Sequence, residues 1–171
     1  GPAHARALRR GFAFRSLAPV EAVAEVGVVH QLAQRVFAGN PYFWPIELAE
    51  FAARFAGEAG VAVEAGVPWR LLLASDPAGA PAGLCFGFAD PSAADAACLK
   101  SFGIVPEWRG TALGPALAYA AYADWARRGA TRFHHALMRA DAGAVDLDRG
   151  AGEVTRTYAL YGRTVGEGGP A

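Results

Sequence analysis

The sequence predicts an α/β domain, a mixed twisted sheet flanked by helices. Three observations carry this expectation. Runs suited to strands alternate with apolar residues at helical spacing, in the order β-α-α-β-β-β-α-β. Residues 97–138, ACLKSFGIVPEWRGTALGPALAYAAYADWARRGATRFHHALM, read as strand, glycine-punctuated turn, helix and strand. The length, 171 residues, suits one domain with a core of its own. Residues 12–161 are assigned to that domain, with 1–11 and 162–171 as flexible ends.

In chain order, residues 12–17 alternate as a first strand, bounded by Pro19. Residues 21–38 carry Val23, Val26, Val29, Leu32, Ala33 and Val36 at helical spacing and predict one helix, broken at Asn40-Pro41. The aromatic run Tyr42-Phe43-Trp44 follows, then a second helix over 46–56. The Gly-rich residues 57–68 predict a loop. Strands over 69–74 and 83–88 flank an Asp-Pro-Ala-Gly turn, and Asp90-Pro91-Ser92 turns into the central strand at 97–105. Pro106 ends that strand. Gly114 as N-cap and Pro115 as first residue predict the next helix, closed by Arg127-Arg128 and Gly129. Another strand is expected from Thr131. Residues 141–152 suit a short helix or a loop, and 153–161 a last strand.

Net charge is zero and the pI is near 7.1, which argues against a nucleic-acid partner. The longest apolar run is interrupted by Pro115 and Asp124 and is too short to span a bilayer. Cys85 and Cys98, on consecutive strands, do not make a disulfide framework, and both are expected as reduced core thiols in a cytoplasmic setting. No His, Cys and Asp grouping has metal-ligand spacing. The helix after Gly114 is apolar almost all round, a pattern that favours burial on two sides or an oligomer such as a homodimer.

The turn before that helix has the makings of an anion site. Small residues let backbone N–H groups converge at the positive end of the helix dipole, and the Arg109 guanidinium adds a fork of donors suited to phosphate. Regular alternation along the central strand puts Cys98, Lys100, Phe102 and Ile104 on one face. Leu99, Ser101, Gly103 and Val105 then take the other. His134 and His135 face opposite ways, and either has the chemistry of a general base.

Ile104-Val105-Pro106 followed by Arg109-Gly110-x-Ala112-x-Gly114 resembles the acyl-CoA loop of the GCN5-related N-acetyltransferases, Q/R-x-x-G-x-G/A, with Ala112 at the first motif glycine. The resemblance implies an acyl-CoA N-acyltransferase fold and acetyl-CoA as acyl donor, with a small-molecule or peptide amine as acceptor. It implies that Arg109, Gly110, Thr111, Ala112, Leu113 and Gly114 hold the pyrophosphate, and that the amides of Ile104 and Val105 polarise the thioester carbonyl. It places acceptor-binding residues near Tyr42-Phe43-Trp44. The chain departs from the family in having no glutamate on the central strand, which leaves Glu47 or Glu50, acting through water, as the base. No asparagine stands near 141–142. Tyr158 and Tyr161 are the tyrosines placed late enough to serve as general acid. A non-catalytic acyl-CoA-binding or interaction domain of the same fold is the alternative.

Overall fold

The computed structural model describes residues 1–41, 43–64, 66–136, 152–155 and 157–158. Its centre is a five-stranded sheet in the order β1-β2-β3-β4-β5. Strands β1 (Ala13–Leu17), β2 (Trp69–Ser75), β3 (Pro81–Ala89) and β4 (Ala96–Ile104) form an antiparallel meander. Helix α5 (Leu113–Ala126) then crosses over, and β5 (Arg132–His135) joins β4 in parallel. A parallel neighbour requires such a crossover, which is why the helix signal between the last two strands determines the sheet's mixed character.

Glycines set the distance between sheet and helices. A Cβ on Gly83 would meet Leu117, and one on Gly87 would meet Trp125, both on α5. A Cβ on Gly103 would lie 2.1 Å from Val36 Cγ1 on helix α3 (Val26–Phe37), which therefore rests almost on the β4 backbone. Helices α1 (Pro2–Arg9) and α5 cover one face of the sheet; α2 (Pro19–Ala24), α3 and α4 (Leu48–Glu64) cover the other. The core between these layers includes Leu17, Leu32, Trp69, Leu71, Leu113 and Leu117, all nearly inaccessible.

Several elements differ from the sequence expectation, each for a physical reason. The helix expected over 21–38 is two. Glu25, at φ −102° and ψ 17°, leaves the helical region, and its carboxylate is held by Arg15 at 2.5 and 2.6 Å. Helix α4 runs on through Gly57 and Gly60, where a loop was expected. Glycine inside a helix costs about 1 kcal/mol relative to alanine but does not break it. Residues 2–9, assigned from sequence to a flexible end, form α1: Ala7 is buried, and His4 packs between Phe14 and Tyr119. This helix packs beside α5, with His4 bridging to β1, while Pro115, Tyr119 and Ala126 on α5 stay exposed. The strand expected over 153–161 is not observed at 152–155 or 157–158. Most of 141–152 lies outside the described residues, as do Met138 and Tyr161.

Candidate functional site

The site is built around an irregularity in β4. Opposite residues pair as Phe86↔Ser101 and Gly87↔Leu99, so Lys100 is an extra residue, a β-bulge. The bulge breaks the regular alternation expected from sequence. Leu99, Phe102 and Ile104 share the α5 face, while Cys98, Lys100, Ser101 and Gly103 share the face under α3 and α4. Two consecutive residues, Lys100 and Ser101, thus line the same cavity.

The bulge lies one residue past the last described rung between β4 and β5, Leu99↔His135, which is followed by a bond from Ala136 N–H to the Leu99 carbonyl (3.1 Å). Strand β4 continues to Ile104. Val105 N–H donates to the Ala82 carbonyl at 3.0 Å. Antiparallel bonding alternates, so this bond sets the phase: Ser101 and Gly103 bond toward β3, and the backbone groups of Phe102 and Ile104 point the other way, toward the β5 side. The Ile104 amide therefore points away from β3. The Val105 amide does not, because it is committed to the sheet.

Beyond β4, Pro106–Trp108 form a 3-10 turn, and Gly110 takes φ +70°, a conformation that favours glycine. Helix α5 begins at Leu113 with Ala112 as N-cap, two residues earlier than the predicted Gly114 cap. The Thr111 hydroxyl explains the shift: it donates to the Trp108 carbonyl at 2.7 Å and accepts from Leu113 N–H at 3.2 Å. Pro115 falls at the third helical position and brings no N–H. The Gly114 amide lies in the first turn of α5, and Gly110, Thr111 and Ala112 stand just ahead of it.

Arg109 was read from sequence as a phosphate grip. In the structure its Nε donates to the Ile104 carbonyl at 3.0 Å and an Nη to the Val36 carbonyl at 2.8 Å. The second bond satisfies a carbonyl in the last turn of α3, where intrahelical partners run out. The fork ties the end of β4 to the C-terminal end of α3, so its first role is structural.

Under α3 and α4 lies a cavity of about 260 Å³. Its walls include Ala33 and Phe37 from α3, Phe51 and Phe55 from α4, and Leu84 and Phe86 from β3; Lys100 and Ser101 form the part nearest the bulge. The aromatic run ahead of α4 contributes less than expected: Phe43 packs on Phe37 (5.9 Å), Trp44 is 84 % exposed, and Tyr42 lies outside the described residues. Ile46 lines the cavity instead. Its carbonyl receives His30 Nε2 at 2.8 Å and Gln34 Nε2 at 3.0 Å, two side chains one turn apart on α3. The His30–Gln34 pair pins the entry to α4 over the cavity, a role sequence reasoning missed although the i, i+4 spacing was visible.

The remaining candidates are spread out. Glu47 and Glu50 are exposed and do not line the cavity; Glu50 is bonded to Arg54 at 2.5 Å. His134 and His135 do face opposite ways, as expected. His134 approaches Asp90 at 3.8 Å, and His135 shares a 2.7 Å hydrogen bond with Tyr122 on α5. Tyr158 is 67 % exposed. Cys85 is buried on the α5 face, its thiol pushed up to about 12 by burial, whereas Cys98 lies on the opposite face. Both cysteines are free. Among the described residues there is no group of three His, Cys, Asp or Glu fit to hold a metal, and no helix long and apolar enough to cross a membrane.

A mixed sheet whose bulged fourth strand leads through a glycine turn into a crossover helix is the fold of the acyl-CoA N-acyltransferases of the GCN5-related type. Solved structures agree at the level of fold. An aminoglycoside acetyltransferase from an uncultured soil metagenome, solved with sisomicin, matches with TM-score 0.60 at 11% identity over 92% of this chain and 98% of its own. A tandem GNAT protein from the clavulanic acid biosynthesis pathway matches with TM-score 0.64 at 16% identity, over 81% of this chain and 41% of its own. An aminoglycoside N-acetyltransferase solved with CoA matches with TM-score 0.59 at 12% identity, over 90% and 95%. No family model and no curated protein matches the sequence.

Proposed function

We propose that the protein is an acetyl-CoA-dependent N-acetyltransferase. The observation that carries this reading is the continuation of β4 past its last described rung with β5, with a bulge at Lys100, outward-facing amides at Phe102 and Ile104, and the turn into α5 beyond. An extended pantetheine arm would lie along the β5 side of β4 and take backbone hydrogen bonds there. The CoA pyrophosphate would meet the amides of Gly110, Thr111, Ala112 and Gly114 at the start of α5, where the helix dipole favours an anion. The neighbour solved with CoA supports this choice of donor.

The chemistry is direct transfer. A neutral amine in the cavity attacks the thioester carbonyl; the C–N bond forms, the C–S bond breaks, and CoA leaves as thiolate while the amine's proton passes to water. An outward amide such as that of Ile104 would stabilise the developing oxyanion. No base on the cavity wall is required if the amine arrives unprotonated.

Calorimetric titration with acetyl-CoA and with CoA tests the reading, followed by thiol-release assays on an amine panel. Binding together with thiol release above background supports a transferase. Binding without release on any amine supports the acyl-CoA-binding domain, and no binding at millimolar ligand refutes both. Tyr158→Phe assigns the proton on the departing thiolate: a ~10²-fold fall in turnover with CoA affinity intact assigns it to the phenol, full turnover to water.

A further inference from the structure

A row of side chains along the floor of the cavity orients an acceptor within it, given the transfer reaction just proposed. Leu71 stands opposite Phe86, and Phe86 opposite Ser101, so the three run across β2, β3 and β4 on the face under α3 and α4. Two are hydrocarbon, and the one at the β4 end carries a hydroxyl. We infer that Ser101 Oγ holds the attacking nitrogen and that the acceptor has an apolar body lying over Phe86 and Leu71.

An amine attacks through its lone pair, so that pair must stay turned to the thioester carbonyl while the N–H groups find an acceptor. Arg54, paired with Glu50, and Lys100 carry donors and no acceptor, whatever else they touch. Ser101 Oγ is the one side-chain acceptor among the described lining residues. It also stands next to Phe102, whose backbone points toward the β5 side where the donor's arm would lie. The body then extends the opposite way, over hydrocarbon. Adjacent strands are ~4.8 Å apart, so Leu71 is ~10 Å from Ser101 across the sheet. Phe55, packed on Trp69 at 5.7 Å, closes that end. At ~1.2 Å per bond of an extended chain, the row has room for about eight bonds.

The test is a series of n-alkylamines from propyl to decyl on the intact chain, with Ser101→Ala and Ser101→Thr beside the wild type. Binding is read by ligand-observed NMR without cofactor and turnover by thiol release with acetyl-CoA. Each added methylene should tighten binding roughly fourfold, the equivalent of ~0.8 kcal/mol per buried CH₂, and the gain should stop near octyl. Ser101→Ala should weaken every member by the same factor, roughly fivefold or more for one hydrogen bond. The gain per methylene and the unfolding midpoint should not change. Ser101→Thr keeps the hydroxyl and should restore binding. A flat response to chain length overturns the apolar body. Wild-type affinity in Ser101→Ala, or a loss as large in Ser101→Thr, overturns the role of the hydroxyl. Because binding is measured without cofactor, the series decides both points even if acetyl-CoA proves not to bind.

Discussion

Replacing Arg109 with alanine removes two hydrogen bonds from a charged donor to backbone carbonyls, those of Ile104 and Val36. Bonds to a charged group contribute about 1.5–3 kcal/mol each. The side chain is itself exposed and the carbonyls regain some water, so the lower end applies, giving about 3 kcal/mol for the pair. For a chain of this length that is about 6–12 °C in Tm. Arg109→Lys carries a single ammonium that can serve one carbonyl and should recover about half the loss. Thermal unfolding by circular dichroism, set beside CoA affinity by calorimetry, reads both quantities. If Arg109→Ala keeps its Tm within ~1 °C while CoA affinity collapses, the side chain serves phosphate after all, and the carbonyl fork has no energetic weight.

Gly103→Ala should cost about 1–3 kcal/mol in urea unfolding, because the new methyl would sit 2.1 Å from Val36 Cγ1 and force α3 off the sheet; an unchanged midpoint would refute that close contact. Asp95 accepts from Arg132 (2.5 Å) and Thr131 (2.8 Å), which hold its carboxyl at about 2, below the ordinary aspartate value. Its folded pKa lies below the unfolded one, so its contribution is complete above about pH 4 and is lost as pH falls toward 2; the stability gap between wild type and Asp95→Asn should close over that window, and a gap independent of pH would refute the assignment. Iodoacetamide on the native protein should modify Cys98 slowly and Cys85 not at all, since Cys85 is buried on the opposite face of the sheet; mass spectrometry showing a disulfide would overturn that geometry.

The unit from β4 through α5 to β5 was legible because its signals are local. Pro106 marks a strand end, and Gly129, at φ +96°, closes the helix where glycine just past two arginines said it would. The bulge at Lys100 was not legible, because a bulge belongs to a pair of strands, and nothing in the run Leu99-Lys100-Ser101 says which residue will lack an opposite partner. Arg109 failed for a similar reason. The Val36 carbonyl it serves is 73 positions away, and its fork chemistry suits a carbonyl as well as a phosphate. Helix α1 escaped notice because the apolar side of PAHARALR is mostly alanine, with Leu8 its one large apolar residue; what orders it is contact with α5. The cavity could not be read as a unit, since its wall draws on α3, α4, β2, β3 and β4 together.

Lys100 is the only lysine in 171 residues. Its position on the cavity wall turns a compositional accident into an experimental handle. Any reagent selective for primary amines has two addresses on this chain, the α-amino group and a side chain at the bulge. Reductive methylation with ¹³C-formaldehyde would therefore yield a spectrum with only two kinds of signal, the side-chain one identified by its loss in Lys100→Arg. One of them reports from the cavity wall, so occupancy by an unlabelled acceptor becomes visible in a protein that is otherwise silent.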